Sequence, residues 1–119
     1  MKSFFVLIFL ALIAFVAAKD DRHNLILGER QEYDRLLKTK VVSSKAVVLC
    51  TKTEDYTYKH EDIEDPATIT FVGVIDQYTN GKGGYATLKR GGPDYTFITL
   101  RFTSQRNRGY HFVIDIYGQ

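Results

Sequence analysis

The chain has 119 residues, 45% of them hydrophobic, and its 16 basic side chains are nearly balanced by 14 acidic ones. This length suits one small domain and is too short for two. The net charge excludes a general electrostatic preference for nucleic acid or an anionic membrane. The charges are unevenly distributed, because acidic residues crowd positions 54–65 and basic residues recur in the last third, which indicates a molecule polarised in charge.

An apolar run from Phe4 to Val16 opens the chain, preceded by a lysine and followed by two alanines that end at Ala18. This pattern is typical of a secretory signal peptide and predicts cleavage between Ala18 and Lys19. A membrane anchor is the alternative interpretation, but the run is shorter than the roughly twenty residues that a spanning helix needs. We therefore expect a secreted, extracellular protein with a signal peptide at 1–18 and a single domain at 19–119.

After the leader, stretches of alternating apolar and polar residues recur, with turn residues about every ten positions. This spacing predicts an all-β fold, either an antiparallel β-sandwich or an open barrel of about six to seven strands. Residues 29–38 are ambiguous, since Tyr33, Leu36 and Leu37 have helical spacing. The segment is short, and we favour an edge strand there.

The next segments, 46–53 and 56–59, have the composition of a β-hairpin, and an acidic loop follows at 61–67. Cys50 is the single cysteine of the chain, so no intrachain disulfide can form. Its apolar neighbours predict a buried strand and a structural thiol, in preference to a nucleophile or an intermolecular bridge.

Residues 69–77 have apolar side chains on both faces, which predicts a central strand. Gly73 interrupts that strand and indicates either a bulge or the close approach of another backbone. Turns are predicted at 79–84 and 91–94, with a short strand at 85–89 between them.

Two further strands, 95–103 and 111–117, show the clearest alternation. We expect them to pair antiparallel through the long basic turn at 104–110, in which Asn107 and Gly109 tolerate a positive φ. The side chains expected inside are Ile98, Leu100 and Phe102 from the first strand and Phe112, Ile114 and Ile116 from the second.

No catalytic or metal-binding pattern is visible in the sequence. The histidines at 23, 60 and 111 lack a recognised ligand spacing, and His60-Glu61-Asp62 is more typical of a solvated acidic loop than of a cation site. The segment from Asn80 to Gly84 lacks the remaining residues of a phosphate loop, and no G-x-S-x-G motif is present. We expect neither enzyme activity nor a metal or cofactor.

The candidate site for a partner is a basic cluster formed by Arg101, Arg106 and Arg108 with Tyr110 nearby. Arginine offers a planar fork for carboxylates, so an acidic protein surface is the expected partner, while solubilisation of an exposed turn is an equal alternative. Exposed tyrosines offer a second surface, although several of these rings are expected in the core. The tyrosines concerned are Tyr56, Tyr58, Tyr78, Tyr85, Tyr95, Tyr110 and Tyr117.

Three motifs resemble the multiprotein bridging factor two family of insects. They are Asp76-Gln-Tyr78 with Asn80-Gly-x-Gly-Gly-Tyr85-Ala86, then Gly91-Gly-Pro93, and the long segment Phe102-Thr-Ser-Gln-Arg106-x-Arg-Gly109-Tyr-x-Phe112-Val-Ile-x-Ile-Tyr117-Gly118. The match is specific over 69–118 and looser over 28–50.

This resemblance implies one of two functions. The family name comes from a transcriptional coactivator that bridges a DNA-bound regulator and general transcription factor IIA, but many similar proteins carry signal peptides and are described as salivary or haemolymph secreted proteins. The leader favours the second group. We therefore expect a secreted, monomeric, non-enzymatic protein that binds a protein partner, without direct nucleic-acid binding or a membrane association after cleavage. The coactivator is the alternative.

Overall fold

The computed structural model describes residues 20–59 and 66–119. The signal peptide with its cleavage site at Ala18 and Lys19, most of the acidic loop, and His60-Glu61-Asp62 lie outside these residues. The described part contains seven β-strands: β1 Leu25–Gly28, β2 Arg35–Ser44, β3 Thr53–Lys59, β4 Ile69–Asp76, β5 Tyr85–Gly91, β6 Phe97–Thr103 and β7 Tyr110–Gly118.

The strands form two antiparallel sheets, a four-stranded sheet in the order β1-β4-β7-β2 and a three-stranded sheet in the order β3-β6-β5. In the described part the sheets do not close into a barrel, which confirms the predicted all-β sandwich. β4 lies between β1 and β7, so its predicted central position is confirmed. Within the described residues, the structure contains no helix that is long and apolar enough to cross a bilayer.

One hydrophobic core lies between the two sheets. All six side chains that the alternation placed inside on β6 and β7 are fully buried there. Burial of this kind contributes about 1.5–3 kcal/mol for each large aliphatic or aromatic side chain, so these two strands supply much of the favourable free energy of folding.

The pairing predicted between β6 and β7 is wrong. β6 pairs with β3 and β5, whereas β7 pairs with β2 and β4, so the connection at 104–109 crosses from one sheet to the other. The apolar faces of the two strands therefore face each other across the core. Alternation specifies which side chains are buried, but two strands show the same alternating pattern whether they pair in a hairpin or lie in opposite sheets.

The predicted hairpin at 46–53 and 56–59 is also wrong. Residues 45–52 form an exposed connection, only Thr53–Lys59 is a strand, and that strand pairs with β6. Cys50 is exposed in this connection and is not buried in a strand. Long-range hydrogen bonds from residues 104–107 hold the segment away from a sheet ladder, and local composition does not encode them.

Two other expectations need partial correction. Within 29–38, residues before Arg35 form a loop and β2 starts at Arg35, so the preference for a strand holds only for the second half. At Gly73 the structure shows neither a bulge nor a close backbone, because the β4 irregularity lies between Ile69 and Phe71. A Cβ at Gly73 would instead contact the Phe71 ring at 3.4 Å.

Candidate interaction surfaces

The structure separates the four residues of the predicted basic cluster. Arg101 lies on the outer face of the three-stranded sheet, where its Nε donates to Asp55 Oδ1 at 2.8 Å and its guanidinium donates to the other carboxylate oxygen at 3.2 Å. Hydrogen bonding from Arg101 lowers the pKa of Asp55. This paired guanidinium is engaged within the sheet, whereas Arg106 and Arg108 are exposed on the connection between β6 and β7.

Tyr110 is buried at the start of β7, so its ring cannot serve as an exposed contact for a partner. Its hydroxyl donates a hydrogen bond to Glu54 Oε1 on β3, which links the two sheets. Burial, together with the adjacent Glu54 carboxylate, raises the pKa of Tyr110. Tyr110 is therefore part of the core, although Tyr78, Tyr85 and Tyr95 are exposed as predicted.

Three connections meet at one end of the sandwich: 45–52, 77–84 and 104–109. Each crosses between the sheets, and the strand register places the ends of β2, β4 and β6 side by side with the starts of β3, β5 and β7. These segments contain five basic residues and no acidic one; the basic residues are Lys45, Lys52, Lys82, Arg106 and Arg108. We call this region the cationic end.

The opposite end has the other sign of charge. Its two described connections, 29–34 and 92–96, contain four acidic residues and one arginine. The sandwich is therefore polarised along its strands, but the acidic segment expected from the sequence does not produce this, because Glu54 and Asp55 lie near the start of β3 beside the cationic end and 60–65 lie outside the described residues. Residues 20–22 of the N-terminal segment pass beside the cationic end, where Asp20 is paired with Arg22 and the Asp21 amide donates to the Thr79 carbonyl.

An apolar tip, Val47 to Leu49, projects from the cationic end. Val48 is 79% exposed and Leu49 is 67% exposed. Leu49 has a φ of 64°, a left-handed conformation that costs a residue with a Cβ about 1–2 kcal/mol. The tip is held in place by Asn107, whose Oδ1 accepts from the Leu49 amide and whose own amide donates to the Cys50 carbonyl at 3.1 Å.

Close packing joins the neighbouring connection to this tip. A Cβ at Gly109 would collide with the Ser44 carbonyl oxygen and approach the Ala46 amide nitrogen to 3.0 Å, so glycine allows the two backbones to touch. Ser104 Oγ accepts from the Lys52 amide at 2.8 Å. The apolar tip is therefore packed against the connection that contains Arg106 and Arg108.

The outer faces of the two sheets differ in chemistry. The outer face of the three-stranded sheet, here called the polar face, has mostly charged and hydroxyl side chains, with the aromatic rings of Tyr85 and Phe97 toward its two ends. The charged and hydroxyl side chains include Asp55, Thr57, Lys59, Thr87, Arg90, Thr99 and Arg101. The outer face of the four-stranded sheet, here called the apolar face, has seven apolar side chains around the hydrogen-bonded pair of Thr39 and Asp115. The apolar side chains are Ile26, Leu36, Val41, Phe71, Ile75, Val113 and Tyr117. Outer faces of sandwich sheets are ordinarily polar, so the apolar face is the unusual one.

Side chains on the edge strands of the apolar face are the most exposed. Ile26 on β1 is 54% exposed, and Leu36 and Val41 on β2 are each 52% exposed. At its border the Arg30 guanidinium lies 3.7 Å from the centre of the Tyr117 ring. An apolar surface with a charged rim is typical of a protein-binding site.

A buried carboxylate anchors the N-terminal segment to the cationic end. Asp76 is fully buried, and its Oδ2 accepts from the His23 amide while its Oδ1 accepts from the Tyr78 amide, each at 3.0 Å. The His23 ring stacks on Tyr85 with 4.5 Å between centroids. Gly83 leaves room for this carboxylate, since a Cβ there would lie 2.6 Å from both oxygens.

The two described histidines, His23 and His111, share no site. His23 takes part in the Asp76 contacts, His111 lies exposed on β7, and His60 is outside the described residues. Across residues 20–59 and 66–119, no group of three or more histidine, cysteine or acidic side chains is arranged to hold a metal ion.

Comparison with known proteins agrees with the motifs in β4, β6 and β7. The family model described as "Transcription activator MBF2" matches residues 27–118, which include β2 to β7 and the second half of β1. This chain belongs to the MBF2 family. The predicted resemblance is therefore confirmed.

One curated relative from this comparison is a bumblebee protein. The "Probable salivary secreted peptide" of Bombus ignitus is 37% identical over 97 residues, which cover 82% of this chain and 70% of that protein. No solved structure matches the chain.

Sequence reasoning missed the apolar face and the apolar tip. The signal for the face was present, because Phe71 and Ile75 are apolar on the side of β4 opposite to Val72 and Val74, but it was assigned to a central strand alone. The signal for the tip was the apolar run beginning at Val47, which was assigned to the core. In both places apolar residues were equated with burial.

Proposed function

We propose that this MBF2-family protein is exported and acts without catalysis by binding a protein partner through its apolar face. The observation on which this rests is the contrast between the two sheets of one molecule. One outer face has mostly charged and hydroxyl side chains, and the other has seven apolar side chains around one polar pair, Thr39 and Asp115. Exposed apolar area is costly in water, and a partner that covers it recovers that free energy.

Export is supported by the signal-peptide pattern of residues 1–18 and by the name of the bumblebee relative, which describes that protein as secreted. The test is mass spectrometry of medium from cells that express the full chain with its own leader. We expect a mature protein whose first residue is Lys19. Retention of the whole chain inside the cell would contradict export.

Partner binding is tested with two matched double variants. Ile26→Lys with Val41→Lys places two cations on edge strands of the apolar face, while Thr57→Lys with Thr87→Lys adds the same charge to the polar face. We expect the first pair to reduce the recovery of partner from secreted fluid at least about tenfold, since each lysine leaves a charge unpaired in a dry interface. We expect the second pair to recover the partner normally.

The oligomeric state gives a further check on this proposal. We expect the purified protein to be a monomer by light scattering at micromolar concentration. A dimer that the Ile26 and Val41 variant dissociates would mean that the apolar face binds a second copy and no other partner.

A second candidate function is favoured by the description of the family as a transcription activator. In that case the chain would bridge a DNA-bound regulator and general transcription factor IIA inside the nucleus. Imaging of the full chain with a C-terminal tag in its native tissue separates the two candidates. Nuclear accumulation together with association with that factor would favour the coactivator, and signal confined to the secretory pathway and medium would favour the exported protein.

A further inference from the structure

The cationic end combines two features that the proposed function does not use. Its three connections contain five basic residues without an acidic one, and an apolar tip projects from them. In contrast to the expectation from net charge alone, we propose that this end docks on an anionic lipid surface, with Val48 and Leu49 inserted among the acyl chains and the surrounding cations placed at the headgroups.

The geometry of the tip suits insertion into a bilayer. Among the described residues, the two most exposed aliphatic side chains, Val48 and Leu49, are neighbours on a tight connection in which the Cys50 amide donates to the Val47 carbonyl at 3.1 Å. Asn107 then fixes the Leu49 backbone in its left-handed conformation. A residue held in an unfavourable conformation with its apolar side chain in water indicates a functional requirement, because nothing in the fold buries that side chain.

The charges are placed where a lipid surface would use them. Arg106 and Arg108 flank Asn107, the residue that holds the tip. Lys45 and Lys52 are at the two ends of the 45–52 connection, which contains the tip. Short apolar segments with nearby basic residues bind membranes by combining acyl-chain burial with attraction to anionic headgroups. The acidic connections lie at the far end of seven-residue strands such as β3, about 20 Å away and beyond one Debye length. In the N-terminal segment beside the cationic end, Asp20 is paired with Arg22, and Asp21 lies against the 77–84 connection, where it offsets part of the positive charge.

A lipid surface fits the apolar tip better than an acidic protein does. The tip protrudes and its side chains are aliphatic, so an anionic protein partner would need an apolar pocket inside its acidic patch. A bilayer provides an apolar acyl region for the tip and anionic headgroups for the surrounding cations, so no such pocket is needed.

The experiment uses residues 19–119, since every described strand lies between 25 and 118 and the apolar run of the leader would itself enter a bilayer. Co-sedimentation is measured with vesicles of phosphatidylcholine containing 30% phosphatidylserine and with pure phosphatidylcholine. We expect binding to the anionic vesicles and at least about tenfold weaker binding to the neutral ones, because each cation near the surface contributes about a fivefold factor.

Charge and insertion are tested separately by variants. Arg106→Glu with Arg108→Glu should weaken binding at least about tenfold, whereas Lys59→Glu with Arg90→Glu, which changes the net charge equally on the polar face, should not. Val48→Ser with Leu49→Asn should also weaken binding about tenfold, and asparagine preserves the left-handed backbone. Thermal unfolding of each variant establishes that the fold is intact.

Cys50 provides a direct report on depth, because it is the single cysteine of the chain and is exposed beside the tip. An environment-sensitive fluorophore on Cys50 should shift to the blue with anionic vesicles, and the same label on a Cys50→Ser, Thr87→Cys variant should not.

Three results would overturn the proposal. One is the absence of binding to phosphatidylserine vesicles. Another is vesicle binding that gives no blue shift and that the Val48 and Leu49 variant does not weaken. The third is retention on polyglutamate beads without vesicle binding, which would assign the cationic end to an acidic protein. Because these assays use purified protein and a different surface, their failure would leave the export and apolar-face experiments unaffected.

Discussion

Replacing Asp76 by asparagine should destabilise the protein strongly although the two side chains have almost the same shape. The buried carboxylate uses different oxygens for its two partners, Oδ2 for the His23 amide and Oδ1 for the Tyr78 amide. An asparagine in either orientation points its NH₂ group at one of these donors. One charge-assisted hydrogen bond is lost, one buried N–H is left unpaired, and the other bond becomes a neutral one.

Each charge-assisted hydrogen bond contributes about 1.5–3 kcal/mol, so we expect Asp76→Asn to lower the free energy of unfolding by about 2–4 kcal/mol. Urea denaturation followed by circular dichroism measures this change. The control is Asp115→Asn on the outer side of β7, where the carboxylate accepts one exposed hydrogen bond from Thr39 at 2.8 Å. We expect under about 1 kcal/mol there. Equal effects of the two variants would refute the role assigned to the buried carboxylate.

Three further predictions concern the core, the polar face and the cationic end. Ile114→Ala should cost about 2–5 kcal/mol in urea denaturation because it empties a fully buried site, and an equal cost for Val113→Ala on the outer side of the same strand would contradict the assigned faces. The pKa of Asp55 is lowered by Arg101, so this pair stabilises the fold above a pH of about 4, and the stabilisation is lost as the pH falls through the lowered pKa. The stability of Asp55→Asn should therefore fall less steeply than that of the wild type as the pH is lowered. Parallel plots of stability against pH for the two proteins would be inconsistent with the pair. Gly109→Ala should lower stability by about 1–3 kcal/mol because its Cβ meets a carbonyl oxygen, and an unchanged melting temperature would argue against the close contact.

Alternation in the sequence was sufficient to predict the buried face of individual strands. Ile98, Leu100 and Phe102 are separated by polar or outward residues, and period-two spacing has one structural meaning for a strand beside a core. The same spacing does not indicate which strand pairs with it. The partners of β6 and β7 depend on how all seven strands share one core, which is a property of the whole chain.

The candidate site was harder to predict because its determinants are distant in sequence. The exposed position of Leu49 depends on Asn107, 58 residues later in the chain. Arg101 looked available beside Arg106 and Arg108, but Asp55 on a neighbouring strand binds it. The apolar face is built from four strands, and each contributes only one or two apolar residues, which are not distinctive within their own segment.

Site-specific photo-crosslinking tests the central claim, partner binding through the apolar face, most directly. A photoreactive benzoyl-phenylalanine is placed at Val41 on the apolar face or at Thr57 on the polar face, and the full chain is expressed in secreting cells of its native tissue. We predict one discrete crosslinked protein in the medium from position 41 and none from position 57. Equal crosslinking from both positions, or a crosslink from position 57 alone, would contradict the assignment of the binding surface.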